Sequence, residues 1–191
     1  METTPRVLVL LAEGTEEMEF TIVVDVLRRA GVEVLVGGVD SAETVTCSRG
    51  VRIAPDLALG ELDRGERFDW IILPGGAGGS DRFAESELVG EWLRTQWSRR
   101  EDGAGVAAIC AAPGALVAHG VGEGLPRTSH PSVSERAGSH GPYEERPVVE
   151  TEHLITSRGP GTAFAFAFSL VARLRGLERL AEIRAPMIFA D

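Results

Sequence analysis

Short, almost continuously apolar runs recur along the chain and are separated by longer amphipathic or glycine-rich stretches. Runs of this length and composition are typical of strands that are covered on both faces of a parallel sheet. The sequence predicts four of them, at Arg6–Ala12, Val32–Val36, Phe68–Leu73 and Gly105–Ile109. Two shorter strands are predicted near Val148–Glu150 and His153–Thr156.

The stretch between the first two runs has the pattern of an amphipathic helix. Apolar side chains at Met18, Ile22, Val26 and Ala30 recur at four-residue spacing, which predicts one apolar stripe. Thr15 is the expected N-cap, and the glycine after Ala30 supplies a stop. Strand, helix and strand within about 30 residues form a βαβ unit, whose crossover makes the two strands parallel.

The remaining stretches complete an alternating pattern. Further helices are predicted at Ser86–Arg99, Ala112–His119 and Thr162–Arg175, short β-like pieces and a hairpin around residues 45 to 53, and mostly loop from 120 to 147. The last predicted helix contains an AFAFAF run with period two, but its phenylalanines also fall at helical spacing and alanine favours helix. The pattern predicts an α/β fold: one domain spanning residues 1–191, a doubly wound sandwich with a mostly parallel sheet.

Composition and charge limit the classes of binding partner that we expect for this protein. The chain has 191 residues, enough for one domain with its own core. Its formal net charge of −10 disfavours direct binding to nucleic acid or to an anionic membrane. No segment has the pattern of a signal peptide or a transmembrane helix, so a soluble cytosolic protein is expected.

Cysteine and histidine usage bounds the chemistry. The two cysteines, Cys47 and Cys110, are far apart in sequence and are expected to stay reduced in the cytosol. The four histidines form no ligand spacing with the cysteines or with one another, so no metal site is predicted. No cofactor is expected either, since no nucleotide-binding fingerprint is complete.

Cys110 is the first candidate for chemistry, because it lies between a buried strand and a helix. Hydrolases of this general architecture place their nucleophile at such a turn. Backbone N–H groups at a helix N-terminus could stabilise a thiolate and then an oxyanion. A buried structural cysteine at a strand end is an equally good interpretation from the local pattern alone.

Two other strand ends point to the same edge of the sheet. After Leu73, Gly75 and Gly76 could expose backbone N–H groups to a small ligand, although a plain turn explains them equally well. After the first strand, Glu19 is unusual only if it points to the neighbouring strand end. A carboxyl group beside a thiolate would have its pKa raised and could donate a hydrogen bond to sulfur. His130, in the long loop, is the natural general-base candidate.

These residues together resemble those of the Parkinsonism-associated deglycase family (DJ-one), within the PfpI-like superfamily. The resemblance runs nearly from end to end and is carried by six segments: Ala12–Glu19 (AEGTEEME), Val24–Gly31 (VDVLRRAG), Cys47–Arg49 (CSR), Leu73–Gly76 (LPGG), Ala107–Ala111 (AAICA) and Thr156–Thr162 (TSRGPGT).

The resemblance implies a flavodoxin-like fold, a homodimer and a cytoplasmic protein with nuclear or mitochondrial pools. It implies that Cys110 is an oxidisable nucleophile and that Glu19 has a protonated carboxyl group hydrogen-bonded to it. It also implies that His130 lines the same pocket. Backbone contacts to a substrate oxygen carry over to Gly75, Gly76 and Ala111. A polar site near the cysteine and the dimer interface carries over to Arg29 and Arg49.

Two departures from the wider superfamily limit what carries over. Ala111 stands where protease-like relatives have histidine, which argues against peptidase activity. Ala54 stands where well-known members carry another cysteine, which weakens any redox scheme that depends on that position.

Two functions follow as hypotheses from the resemblance. One is a cofactor-free glyoxalase that acts on methylglyoxal or glyoxal, with deglycation of early aldehyde adducts as a sibling activity. The other is an oxidative-stress sensor and chaperone that works through oxidation of Cys110. A structural domain without catalysis is the third interpretation.

Overall fold

The computed structural model describes residues 4–189, and nine strands form within this range. Their bounds are β1 Arg6–Leu11, β2 Glu33–Gly38, β3 Val45–Thr46, β4 Arg52–Ile53, β5 Leu57–Ala58, β6 Trp70–Leu73, β7 Gly105–Ile109, β8 Val148–Glu150 and β9 Leu154–Ser157. The four long apolar runs are thus confirmed as strands. The expected hairpin is also confirmed, since β3 pairs antiparallel with β4.

Seven strands form one central sheet in the order β5-β2-β1-β6-β7-β9-β8. All neighbours are parallel except β8 and β9, which are antiparallel. From β1 the chain first moves outward to β2 and β5 and then returns to β6 on the other side. The carboxyl ends of β1, β6 and β7 are therefore neighbours at the point where the strand order reverses, which is where open α/β sheets bind ligands.

Helices cover both faces of this sheet. They are α1 Glu17–Arg29, α2 Ala77–Glu85, α3 Glu87–Ser98, α4 Pro113–Ala118, α5 Ser134–Gly138 and α6 Ala163–Arg184. Successive residues of β1 point to opposite faces: Val7 and Val9 pack in the core under α1 and α6, and Leu8 and Leu10 pack in the core under α2, α3 and α4. All four are fully buried. The predicted doubly wound α/β fold, with a mostly parallel sheet between two helical layers, is therefore confirmed.

The start of α1 differs from the prediction. Glu16, not Thr15, is the N-cap, and its carboxylate accepts a hydrogen bond from the Glu19 N–H at 2.8 Å. The Thr15 hydroxyl instead accepts the Ala12 N–H at 3.1 Å and closes the turn after β1. The predicted apolar stripe is also only partly buried. Met18, at its start, is 53% exposed, whereas Val26 and Ala30 are fully buried.

Three helical segments were missed, one of which is the five-residue α5 within the stretch predicted as mostly loop. The glycine-rich stretch after β6 does not remain a turn, because α2 begins at Ala77 directly after Gly76. At the C-terminal end, Gly176 does interrupt the helix, with a φ of 82°, but helical structure resumes and continues to Arg184. Among the described residues, no helix is long and apolar enough to cross a membrane.

Candidate active site

Cys110 follows β7 directly and has a backbone conformation that side chains rarely adopt. Its φ is 65°, and of the non-glycine residues described only Ile188 shares a positive φ. Such a conformation costs on the order of 1–3 kcal/mol and persists only where the surroundings enforce it. Two hydrogen bonds do so here: the Cys110 N–H donates to the Ser157 carbonyl at 2.9 Å, and the His130 N–H donates to the Cys110 carbonyl at 2.7 Å. The turn aims the thiol at the carboxyl edge of the sheet.

Glu19 reaches this thiol from the first turn of α1. Its side chain is fully buried, and its Oε2 accepts a hydrogen bond from the Gly75 N–H at 2.8 Å. A Cβ on Gly75 would lie 2.4 Å from both Cys110 Cβ and Glu19 Oε2. Only glycine can therefore stand at position 75 while the thiol and the carboxyl group stay this close. Oε1 of Glu19 is also buried and has no hydrogen-bond partner among the described residues.

The thiol and the carboxyl group titrate as a pair. Burial raises the pKa of Glu19 from 4.5 to about 7, and burial together with the Glu19 charge raises the pKa of the Cys110 thiol from 9.0 to about 12. The second proton must leave against the negative charge created by loss of the first, so these values describe two successive ionisations of the pair. Hydrogen bonds from the backbone N–H groups of Gly76 and Ala111 act on the sulfur in the opposite direction and lower its pKa.

The pKa of Cys110 is shifted in the direction opposite to that expected for a thiol stabilised by a helix N-terminus. The net shift of the Cys110 pKa is upward, because burial and the neighbouring Glu19 carboxylate raise the pKa more than the backbone N–H donors lower it. The helix contribution is also small, since α4 has only six residues and begins at Pro113. The two sites nevertheless differ in hydrogen-bond donors. The sulfur has two backbone N–H donors, from Gly76 and Ala111, whereas the carboxyl group has one, from Gly75.

The pair opens into a cavity of about 480 Å³ at the carboxyl edge of the sheet. This volume suits a small molecule. The wall combines backbone from three strand ends with a few polar side chains: Gly14, Glu16, Ser48, Arg49, Gly76, Ala77, Gly78, Cys110, Ala111, His130, Ser132 and Pro160.

Of the residues singled out from the sequence, most come together here. Cys110, Gly76, Ala111, His130 and Arg49 line the cavity, and Glu19 and Gly75 lie directly behind its wall. The Gly75 N–H is occupied by Glu19, so the contribution of this residue is to hold the carboxyl group.

Arg29 is not part of this cavity. It pairs with Asp25 across one helical turn at 2.6 Å and lines a separate depression together with Phe164 and Met187. Within one chain, Arg29 and Arg49 therefore line different depressions. The predicted role of Arg29 at a dimer interface stays a prediction.

Glu17 is a positioning residue that sequence reasoning missed. Its carboxylate accepts hydrogen bonds from the Ser48 hydroxyl at 2.9 Å and from the Arg49 N–H at 2.8 Å. Burial raises its pKa, but the hydrogen bonds lower it more, and the net direction is downward. Glu17 thus ties the loop between β3 and β4 to α1 and places Arg49 at the cavity. An acidic residue in a first helical turn gave no signal, because the helix dipole already explains it.

Comparison with known proteins agrees with this architecture. The family model for the DJ-1/PfpI family matches residues 5–173. The chain belongs to the DJ-1/PfpI family. It is 47% identical over 185 residues to "Protein dj-1beta" of Drosophila melanogaster, which covers 96% of each chain. The crystal structure of Drosophila melanogaster DJ-1beta superimposes with a TM-score of 0.93 at 45% identity and covers 99% of this chain and 100% of that chain.

A further member of the DJ-1/PfpI family has an enzymatic name. The chain is 41% identical over 193 residues to a Caenorhabditis elegans protein named "Glutathione-independent glyoxalase DJR-1.2", with full coverage of both chains. The name of this relative supports enzymatic activity within the family. The predicted family membership is confirmed, whereas the roles of the individual site residues stay predictions.

Proposed function

We propose that the protein is a cofactor-free glyoxalase that converts methylglyoxal or glyoxal to the corresponding hydroxy acid, with Cys110 as nucleophile. The observation that carries the proposal is the pairing of the buried Glu19 carboxyl group with the half-buried Cys110 thiol, which lines a cavity for a small molecule. The C. elegans relative named as a glyoxalase supports the substrate class.

The proposed reaction uses the form of the pair in which the proton is on Glu19 and the negative charge is on sulfur. The Cys110 thiolate attacks the aldehyde carbon and forms a C–S bond, while the carbonyl electron pair moves to oxygen and takes the Glu19 proton. The product of this step is a hemithioacetal. The backbone N–H groups of Gly76 and Ala111 lie beside the sulfur and can stabilise the developing negative charge.

The next steps move a hydrogen within the substrate and release it. The Glu19 carboxylate removes the proton from the carbon bonded to sulfur, the C–H electron pair forms a carbon–carbon double bond, and the neighbouring carbonyl oxygen takes the negative charge, which gives an enediolate. The hydroxyl proton on the carbon bonded to sulfur then moves to the enediolate oxygen, and Glu19 returns its proton to the neighbouring carbon, which leaves a thioester on Cys110 and a hydroxyl group on that carbon. Water then cleaves the C–S bond, giving the hydroxy acid and the free thiol, so no external oxidant or reductant is needed. His130 lines the same cavity and can form a hydrogen bond with the bound substrate.

Turnover of methylglyoxal by the purified protein tests this proposal. We expect Cys110→Ala to lose at least about 10³-fold in kcat/KM, because the covalent intermediate cannot form. The matched control is Cys47→Ala, which changes a buried thiol outside the cavity and is expected to keep activity within about twofold. Conversion of methylglyoxal to lactate by Cys110→Ala at the wild-type rate would overturn the proposal.

Deglycation of early aldehyde adducts on proteins or nucleotides is proposed as an extension of the same chemistry. Early adducts are in equilibrium with free aldehyde, so an enzyme that consumes only the free aldehyde would also lower the amount of adduct and would mimic deglycation. An adduct whose release of free aldehyde is measured separately distinguishes the two, because true deglycation exceeds the spontaneous release rate.

A second candidate function is an oxidative-stress sensor and chaperone. The observation that favours it is that Cys110 opens into the cavity and has a carboxyl group and two backbone N–H groups beside its sulfur, which could accommodate a sulfinate. Mass spectrometry after mild peroxide treatment tests it, and oxidation confined to Cys47 would overturn it.

We also propose that the protein is a homodimer and that it is cytoplasmic, as the family resemblance implies. An apolar surface on α1 and the C-terminal segment supports dimerisation: Met18 is 53% exposed, Ile188 is 86% exposed, and the rings of Phe164 and Phe189 stack edge to face at 4.9 Å. Sedimentation equilibrium tests the dimer. Met18→Glu is expected to weaken it, whereas a monomer at micromolar concentration for the wild type would contradict it.

A further inference from the structure

Ser132 contacts the ring of His130 twice. The Ser132 hydroxyl oxygen lies 2.8 Å from His130 Nδ1, and the Ser132 backbone N–H donates to the same nitrogen at 3.2 Å. The contact has a local cause: residues 131–133 form a helical turn, Pro131 has no N–H to offer, and His130 caps the turn by accepting from Ser132. Both side chains line the cavity that contains Cys110.

The chemistry of these donors determines the tautomer of His130. A backbone amide nitrogen can only donate, so Nδ1 accepts and has no proton. A neutral imidazole has one ring proton, which must then be on Nε2. The serine hydroxyl can donate to Nδ1 as well and fixes the rotation of the ring.

The Cδ2 side of the ring and the Glu19 carboxyl group both lie close to Gly159. The point that a Cβ on Gly159 would occupy lies 3.7 Å from His130 Cδ2 and 4.0 Å from Glu19 Oε1. Because position 159 has no side chain, the Cδ2–Nε2 edge and the carboxyl oxygen Oε1 both border the small space that a side chain there would occupy. A substrate oxygen in that space would meet an N–H group from His130.

We propose that Ser132 is a positioning residue that holds His130 as the Nε2–H tautomer, so that His130 acts as a hydrogen-bond donor to the bound aldehyde and not as a general base. Glu19 then carries the protons in the reaction, and His130 polarises a substrate oxygen. The substrate in this statement rests on the proposed glyoxalase function, whereas the tautomer does not.

The tautomer is measured by NMR of protein labelled with ¹⁵N-histidine, at a pH where the ring is neutral. We expect the His130 signals, assigned by loss in His130→Gln, to show protonated Nε2 and unprotonated Nδ1 in the wild type. Ser132→Ala removes the 2.8 Å hydroxyl contact to Nδ1 and leaves only the longer, 3.2 Å contact from the backbone N–H, so the Nε2–H form is expected to become less dominant. Ser132→Thr, which keeps the hydroxyl, is expected to restore it. His119 is an internal control, because its Nε2 lies 2.8 Å from the Phe83 carbonyl oxygen and this hydrogen bond does not involve Ser132.

Kinetics separate a donor from a proton carrier. Glutamine can place an amide N–H near the position of Nε2 but cannot carry a proton, so we expect His130→Gln to keep kcat within about tenfold of wild type, whereas His130→Ala loses on the order of 10²-fold. Ser132→Ala is expected to lower kcat about three- to tenfold with little change in KM. Ser132→Thr is expected to recover most of this loss.

Three results would overturn the proposal: an Nδ1–H tautomer in the wild type, an unchanged spectrum and kcat in Ser132→Ala, or equal loss in His130→Gln and His130→Ala. Failure of the glyoxalase proposal is distinguishable from these. A wild-type protein that does not turn over methylglyoxal, but shows the Nε2–H tautomer and a smaller share of it in Ser132→Ala, would refute the substrate and leave the positioning role supported.

Discussion

The two cysteines of this chain are placed in surroundings that differ in one decisive respect. Cys47 lies in the loop between β3 and β4 and is 5% exposed, and burial together with the nearby carboxylates of Glu17, Glu13 and Glu16 raises its pKa to about 11. Cys110 also has a raised pKa, to about 12. An upward pKa therefore does not distinguish the two thiols.

The partners of the sulfur do distinguish them. At Cys110, backbone N–H groups of Gly76 and Ala111 point at the sulfur, and a buried Glu19 with a pKa of about 7 can keep a proton that the thiol gives up. At Cys47 the causes that act on the thiol all raise its pKa. A candidate nucleophile is thus recognised by what can receive its proton and stabilise its charge, together with access to a cavity.

Alkylation of the native protein gives the largest expected contrast. Iodoacetamide should modify Cys110 on the order of 10³-fold faster than Cys47, because only Cys110 has both access and charge-stabilising partners. Peptide mass spectrometry over a time course measures both rates in one sample. Comparable rates at the two sites would remove the distinction, and equal rates in urea verify that both thiols are intrinsically reactive.

Stability against pH tests the burial of Glu19. Its folded-state pKa of about 7 is higher than 4.5, so the native state holds this proton more tightly, and the resulting stability is present below pH 4.5 and is lost as pH rises through 7. Glutamine cannot ionise, so Glu19→Gln should raise the free energy of unfolding by about 3 kcal/mol at pH 8 relative to wild type and by little at pH 4.

Glu17→Gln is the matched control for that experiment. Hydrogen bonds lower the pKa of Glu17, so its carboxylate stabilises the native state at neutral pH and this contribution is lost as pH falls. The expected change at pH 8 is therefore a decrease. Urea unfolding at both pH values measures both variants, and the same sign for the two would contradict the assigned environments.

Gly75→Ala should disturb the packing of Glu19 against Cys110. The added Cβ would lie 2.4 Å from atoms of both residues, so we expect a loss of about 1–3 kcal/mol in the free energy of unfolding, together with lost alkylation of Cys110. Gly161→Ala is the control, because nothing lies within 4 Å of a Cβ there. An unaffected Gly75→Ala protein would show that the two side chains can separate at little cost.

Cys47→Ala has the smallest expected effect. Removal of one buried sulfur should cost about 1 kcal/mol in the free energy of unfolding and leave alkylation of Cys110 unchanged. Thermal unfolding and the same labelling assay measure both. A marked change in Cys110 reactivity would show that the two regions are coupled through Glu17 and the loop it holds.

The elements with a clear local pattern were predictable. The long apolar runs became β1, β6 and β7 because a strand buried on both faces needs no polar alternation. The start of α2 was not predictable from the sequence, because the glycines of Ala77–Gly79 give a weak helix signal. A Cβ at Gly79 would lie 2.8 Å from the Thr15 backbone. Close packing, not propensity, requires glycine there.

The candidate site divides in the same way. The positions of Cys110 at a strand end, Glu19 in a first helical turn and His130 in a loop were apparent from the sequence and from the family resemblance. The sequence could not show that Glu17 accepts the Ser48 hydroxyl and the Arg49 N–H, or that Ser132 contacts His130. Nor could it show that Arg29 lies outside the cavity, because helix rotation depends on which face packs against α6.

By itself, the sequence determined the strands, the parallel topology and the identity of the residues that could carry chemistry, because apolar periodicity and strand–helix alternation are local properties. Only the tertiary structure decided what Cys110 can do. Its positive φ, the donors at its sulfur and the raised pKa of Glu19 arise from groups that are distant in sequence and that the sheet brings within a few ångströms. Burial and charge act through space, so a thiol acquires its chemistry from neighbours that the fold supplies.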